Sequence, residues 1–173
     1  MAIITATGII RALSLFHLSV AYFLIASPST IVNQSLVFIL GASMRLPTPP
    51  SLSDASPSTA FSALILALLG LTDLAACSLP EEISSYYWGS QAPIRCTFFF
   101  ALTGYAYAFK PEGPVRGISR QAHPWDNLHT SVVFTWSFLE MISWFWIFIT
   151  LREERRELAV RQAERKRAEE NML

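Results

Sequence analysis

The chain has 173 residues, 52% of them hydrophobic and 13% aromatic, and its 13 Lys and Arg offset its 13 Asp and Glu to a formal net charge of zero. So little polar sequence separates the apolar stretches that no independent soluble domain fits between them. With no basic excess, nothing argues for nucleic acid as a partner.

The first apolar stretch, Ile3 to Ala26, is long enough to cross a bilayer, because about 20 apolar residues at a helical rise match the hydrocarbon thickness. It holds Arg11 and His17. A signal-peptide reading would make Arg11 the end of a short basic region and Ala12 to Ala26 the apolar core. The apolar residues that precede Arg11, and Pro28 just past the plausible cut, favour a retained helix in which Arg11 snorkels or is paired. After Ser27-Pro28-Ser29, the stretch Ile31 to Leu46 mixes Val37, Phe38, Ile39 and Leu40 with Asn33, Gln34, Ser43 and Arg45. It is too short and too polar to span, so it reads as a helix in the interface or packed on the bundle, with a re-entrant segment as the alternative.

Pro47 to Ser58 is a Pro/Ser loop ending at a cap, Ser58 or Thr59, that opens a second span, Thr59 to Leu79, around Asp73. Leu79-Pro80-Glu81-Glu82 closes that span, and Tyr86, Tyr87 and Trp88 in the connector suit headgroup depth. Gln91-Ala92-Pro93 opens a third span, Ala92 to Phe109, which holds Arg95 in its first turn. A connector with three prolines and two glycines, Lys110 to Asn127, leads to the fourth span, Leu128 to Leu151, with Glu140 near its middle. Of the chain's 26 charged side chains, 13 fall in Arg152 to Glu170. That tail continues the fourth helix as a solvated helix, with Glu157 to Arg161 and Glu164 with Arg167 at supporting spacings. Leu158, Val160 and Ala163 are too few for a coiled coil.

The fold expected is therefore all-α: a four-helix transmembrane bundle over residues 1–151, an interfacial or re-entrant helix after the first span, and a charged helical tail over 152–173. Seven basic residues in the tail against Arg45, Lys110, Arg116 and Arg120 in the opposite connectors place both termini in the cytosol. Cys77 and Cys96 then lie at one membrane face in a reducing compartment as free thiols, and the sequon Asn33-Gln34-Ser35 faces the lumen.

Ionisable groups inside a bilayer face the bundle interior and find partners, so Arg11, His17, Asp73, Arg95 and Glu140 are the candidate intramembrane polar network. A hairpin of the second and third spans brings Asp73 to Arg95. Glu140, far from either end of its span, needs a partner, and Arg11 and His17 are available. Such groups serve first as polar glue that sets helix register where apolar packing against lipid gives little preference. The acids are too few for a proton or ion pathway. His17, His123 and His129 are scattered, and no catalytic constellation, metal site or cofactor motif is present.

Several stretches, in order, carry a family resemblance: Phe16-His17-Leu18-Ser19-Val20-Ala21-Tyr22-Phe23; Leu36-Val37-Phe38-Ile39-Leu40-Gly41 with Met44 and Leu46-Pro47; Gly70-Leu71-Thr72-Asp73-Leu74; Pro93-Ile94-Arg95 with Phe98-Phe99-Phe100; and Glu140 followed by Leu151-Arg152-Glu153-Glu154. Together they resemble the fungal "increased loss of mitochondrial DNA" family across nearly the whole chain. The resemblance implies a small four-span protein of the endoplasmic reticulum membrane, named for a phenotype and not for an activity, and it supplies no catalytic residue. The matched polar positions are Asp73, Arg95 and Glu140. The role expected is a non-enzymatic adaptor or assembly subunit that supports mitochondrial DNA maintenance indirectly, bound to membrane lipids and to a larger membrane-protein partner. The competing role is a small transporter or lipid-binding protein whose polar cavity is lined by Asp73, Arg95 and Glu140, and a mitochondrial membrane is the competing location.

Overall fold

In the computed structural model, the described residues are 5–49, 52, 54–110 and 124–170. They form six α-helices and one short 3-10 turn, with no strand among them. Helix α1 spans Ala6–Ala26, α2 Pro28–Val32, α3 Ser35–Met44, α4 Pro57–Ala76, α5 Glu81–Ala108 and α6 Ser131–Glu170, and the 3-10 turn Pro124–Leu128 leads into α6.

Local chemistry sets most of the helix ends. Thr5 caps α1, its hydroxyl accepting from the Gly8 amide at 3.2 Å, and Pro28 opens α2 where a missing N–H costs nothing. The cap of α4 is Ser56, two or three residues earlier than expected, because Pro57 fits the first helical position and Ser56 and Thr59 form a reciprocal capping box.

Among the described residues, three helices are long and apolar enough to cross a membrane: Ala6–Ala26, Pro57–Ala76 and the Ser131–Glu164 stretch of α6. The stretch expected as a third span is the second half of α5, and α5 is not one of these three. The outer surface confirms the solvent these helices need. Leu64, Leu68, Phe98 and Phe100 are each more than 60% exposed, and a water-soluble chain seldom shows contiguous apolar surface on that scale.

Two antiparallel pairs make the body of the molecule. Helix α1 lies along α4, α5 lies along α6, and α1 also touches α6, which joins the pairs. Ile10 and Leu13 of α1, Trp88 and Ala92 of α5, and Trp144, Ile147 and Leu151 of α6 fill one shared core. At Gly70 the α1 and α4 backbones approach closely: a Cβ there would stand 3.0 Å from the Ser14 carbonyl oxygen and 3.3 Å from the His17 Cβ.

The segment expected as one interfacial helix is divided. It breaks at Asn33 and Gln34 into α2 and α3, and α3 packs on the first turns of α6. The chain leaves α3 through Arg45 in the left-handed conformation, φ 51°, with the Leu46 amide donating back to the Gly41 carbonyl at 2.9 Å. Leu46 then packs with Ala106 and Phe134, and the Pro47 carbonyl accepts the Ser131 amide at 2.9 Å. A Cβ on Gly41 would stand 2.6 Å from the Cβ of Ser131, an atom that cannot swing aside. Gly41→Ala is therefore expected to lower the melting temperature of the detergent-purified protein, since overpacking costs about 1–3 kcal/mol. Gly104 has open space where its Cβ would stand, so Gly104→Ala should hold or raise it, a mid-helix glycine costing about 1 kcal/mol relative to alanine.

Helix α5 begins at Glu81, eleven residues before the expected opening at Ala92, and carries Pro93 in its interior. The residues read as a connector, 81 to 91, are helical because α6 runs past the membrane end and gives them a packing surface. Ser84 and Trp88 are buried there. The guanidinium of Arg155 donates to the Ser85 carbonyl. It crosses α5 over Gly89, where a Cβ would collide with it. Trp88 thus belongs to the core, while Tyr86 is exposed. Most of the expected third connector, with Arg116, Arg120 and His123, lies outside the described residues.

Candidate functional site

The site is a buried polar chain that crosses all four long helices. It starts on α4, where Asp73 is 2% exposed and both its oxygens accept from Arg95 of α5, Nη1 to Oδ2 at 2.6 Å and Nη2 to Oδ1 at 2.8 Å. This planar two-point contact is the strong geometry for a guanidinium and a carboxylate. The guanidinium also lies over two indole rings, with Cζ 4.6 Å from the Trp144 centroid and 5.6 Å from that of Trp88. A desolvated cation over an indole face gains electrostatic stabilisation on the order of 2 kcal/mol. The two rings are stacked, centroids 5.9 Å apart and planes inclined at 29°.

Trp144 carries the chain into α6. Its indole N–H donates to Glu140 Oε2 at 2.9 Å, one helical turn away, and Glu140 Oε1 lies 2.5 Å from His17 Nε2 of α1. Glu140 is 2% exposed and His17 fully buried. The Nδ1 of His17 is buried and has no partner among the described residues. A hydrogen on Nδ1 would be an unsatisfied donor, so the hydrogen is assigned to Nε2, facing the carboxylate. The His17 ring packs against Trp136 with centroids 5.3 Å apart, and Phe16 stacks on Trp136 at 5.9 Å and lies 6.3 Å from His17.

Every carboxylate oxygen in this chain has a donor: two from Arg95, one from Trp144 and one from His17. The arrangement fixes α4 to α5, α5 to α6 and α6 to α1. It has the form of polar glue, because each acid would be costly in an apolar interior without its partner.

Of the five ionisable positions singled out in the sequence, four lie in this chain: Asp73 with Arg95 and Glu140 with His17. Arg11 does not join it. Its guanidinium donates to the Cys77 carbonyl at 3.2 Å, where the last carbonyls of α4 lack helical partners. Trp88 and Trp144, which link the two acid pairs, carried no charge signal in the sequence. The signal that marks Trp144 is its i+4 spacing from Glu140, which puts both on one helix face. Cys77 is buried and Cys96 half-buried, and both are free. Among the described residues no group of His, Cys, Asp and Glu has the arrangement of a metal site.

A second polar cluster closes the other end of the bundle. Lys110 donates to the Met44 carbonyl at 2.6 Å at the end of α3 and lies 4.5 Å from the Tyr107 centroid, and His129 Nδ1 is 3.3 Å from the Ala106 carbonyl.

A family model described as "Increased loss of mitochondrial DNA protein 1" matches residues 4–161. The chain belongs to this family. All of the buried polar chain lies inside the matched region, and only the last turns of α6 extend beyond it. Protein ilm1 of Schizosaccharomyces pombe is 29% identical over 164 residues, covering 92% of this chain and 89% of that protein. Protein ILM1 of Saccharomyces cerevisiae is 27% identical over 142 residues, covering 82% of this chain and 62% of the longer yeast protein. No solved structure matches the chain. The family name ties these proteins to mitochondrial DNA maintenance.

Proposed function

We propose that this protein is a non-enzymatic adaptor or assembly subunit of the endoplasmic reticulum membrane, with four spans, cytosolic termini and an indirect role in mitochondrial DNA maintenance. The observation that carries the reading is the saturation of the buried acids. All four oxygens of Asp73 and Glu140 accept from protein donors, so each acid is already compensated within the bundle. A transporter or lipid-binding reading that lines a cavity with Asp73, Arg95 and Glu140 needs those side chains to face a space, and here they face each other.

Support for the fourth span comes from packing. The second half of α5 runs beside α6 and brings Arg95 against both Trp88 and Trp144, which supports its sharing the bundle's apolar surroundings. For an adaptor, the binding surface is offered by the exposed apolar rows of α4, α5 and α6 toward another membrane protein, and by the solvated end of α6. Tagging the tail at native expression and purifying in mild detergent should return one dominant stoichiometric membrane partner, and the level of that partner should fall in cells lacking this chain. Recovery of the monomer alone, in cells that nevertheless lose mitochondrial DNA without it, would overturn the adaptor reading.

A further inference from the structure

A pocket of about 520 Å³ opens at the end of the bundle opposite Lys110, within the size range of small-ligand sites. Its depth follows from its walls. Thr5 precedes the first residue of α1, Cys77 ends α4, and Leu151 is the last apolar residue of α6 before Arg152. All three are places where an apolar span gives way to polar sequence, so the pocket sits at headgroup level.

Its charges are divided by sign and by how far they are already used. Arg11 forms one wall, and among the described residues its guanidinium has one hydrogen bond, to the Cys77 carbonyl. Glu81 and Glu153 line the rim, and among the described residues neither has an ion-pair partner. The other charged groups are engaged: Glu154 accepts the Ala6 amide at 2.9 Å, and Glu157 meets Arg161 at 3.4 Å. The Trp88 side chain forms part of the inner wall, its indole N–H buried behind the pocket surface.

We infer that this pocket binds the phosphoethanolamine headgroup of a zwitterionic phospholipid. The headgroup's ammonium donates to Glu81 and Glu153, and its phosphate oxygens accept from the planar fork of Arg11. An anionic headgroup lacks the cation that two free carboxylates call for. A purely cationic partner leaves Arg11 without an acceptor from the ligand. This reading is independent of the adaptor role, since the pocket does not include the buried acid pairs.

The test uses the full chain in mild detergent, titrated with dioctanoyl phosphatidylethanolamine, dioctanoyl phosphatidylglycerol, soluble glycerophosphoethanolamine and a Lys-rich peptide, with thermal melting as readout. The ethanolamine lipid should raise the melting temperature saturably, and the glycerol lipid should not. Glu81→Gln with Glu153→Gln changes two exposed side chains and should weaken lipid binding about tenfold, read as the lipid-induced rise above the double variant's own lipid-free melting temperature. Glycerophosphoethanolamine binding as tightly as the lipid supports the site and makes the free headgroup sufficient. A shift only with the lipid supports the site and makes the acyl chains part of the ligand. Equal shifts with both lipids, unaltered binding by the double variant, or saturable binding of the Lys-rich peptide alone overturns the proposal.

Discussion

Asp73→Leu is expected to collapse the steady-state level of the protein, because it strands the Arg95 guanidinium in the middle of the bundle. Arg95 is 18% exposed at its side chain and Asp73 3%, so water offers the cation little compensation. Removing one partner of a buried ion pair costs about 3–5 kcal/mol, a large share of the stability of a domain this size. The control is the double variant Asp73→Leu with Arg95→Met, in which no charge is left uncompensated. Its level should recover well above that of Asp73→Leu, although short of wild type because the guanidinium also lies over Trp88 and Trp144. Immunoblotting at native expression, with melting temperatures of the purified proteins, reads both. Normal abundance of Asp73→Leu with Arg95 intact would remove the pairing as a determinant of stability.

The second large effect is at Glu140. Glu140→Leu leaves two buried donors, the His17 Nε2–H and the Trp144 Nε1–H, with no acceptor. Each buried unsatisfied donor costs about 1–3 kcal/mol, so the variant should melt far below wild type. His17 provides the finer measurement. Its bond to Glu140 is made by Nε2, a position that a glutamine amide can reach. His17→Gln should keep most of the stability, whereas His17→Leu should approach Glu140→Leu, because the carboxylate then keeps Trp144 as its only donor. Equal melting temperatures for His17→Gln and His17→Leu would show that the histidine acts through its bulk alone.

Much of this site was legible because a charge in an apolar run is conspicuous. Asp73 and Arg95 flank a hairpin at a separation that two helices can close, and Glu140 sits too deep to reach water, so both needed partners and the candidates were few. What sequence could not supply was the connection between the two pairs. Trp88 and Trp144 look like ordinary apolar or interfacial residues, and their roles depend on how α5 and α6 face each other. The start of α5 was obscured for a similar reason. Residues 81 to 91 have the composition of a connector, and they become helical through contacts with α6, including Arg155 to Ser85. Local rules can also compete. Ser56, Ser58 and Thr59 are all credible caps, and Pro57 decides among them through the position it occupies.

Helix α6 is longer than the hydrocarbon layer is thick. The helix runs 40 residues without a glycine or proline, about 60 Å at 1.5 Å per residue, while the hydrocarbon accounts for about 30 Å. Its far half is therefore a lever arm with its fulcrum where Arg155 meets α5. A change of about 20° in the tilt of the bundle, a typical angle for membrane helices, would swing the tip by about 8 Å at 1.5 Å per residue. A load applied to the tip would be transmitted back as torque on the stacked tryptophans and the acid pairs they connect.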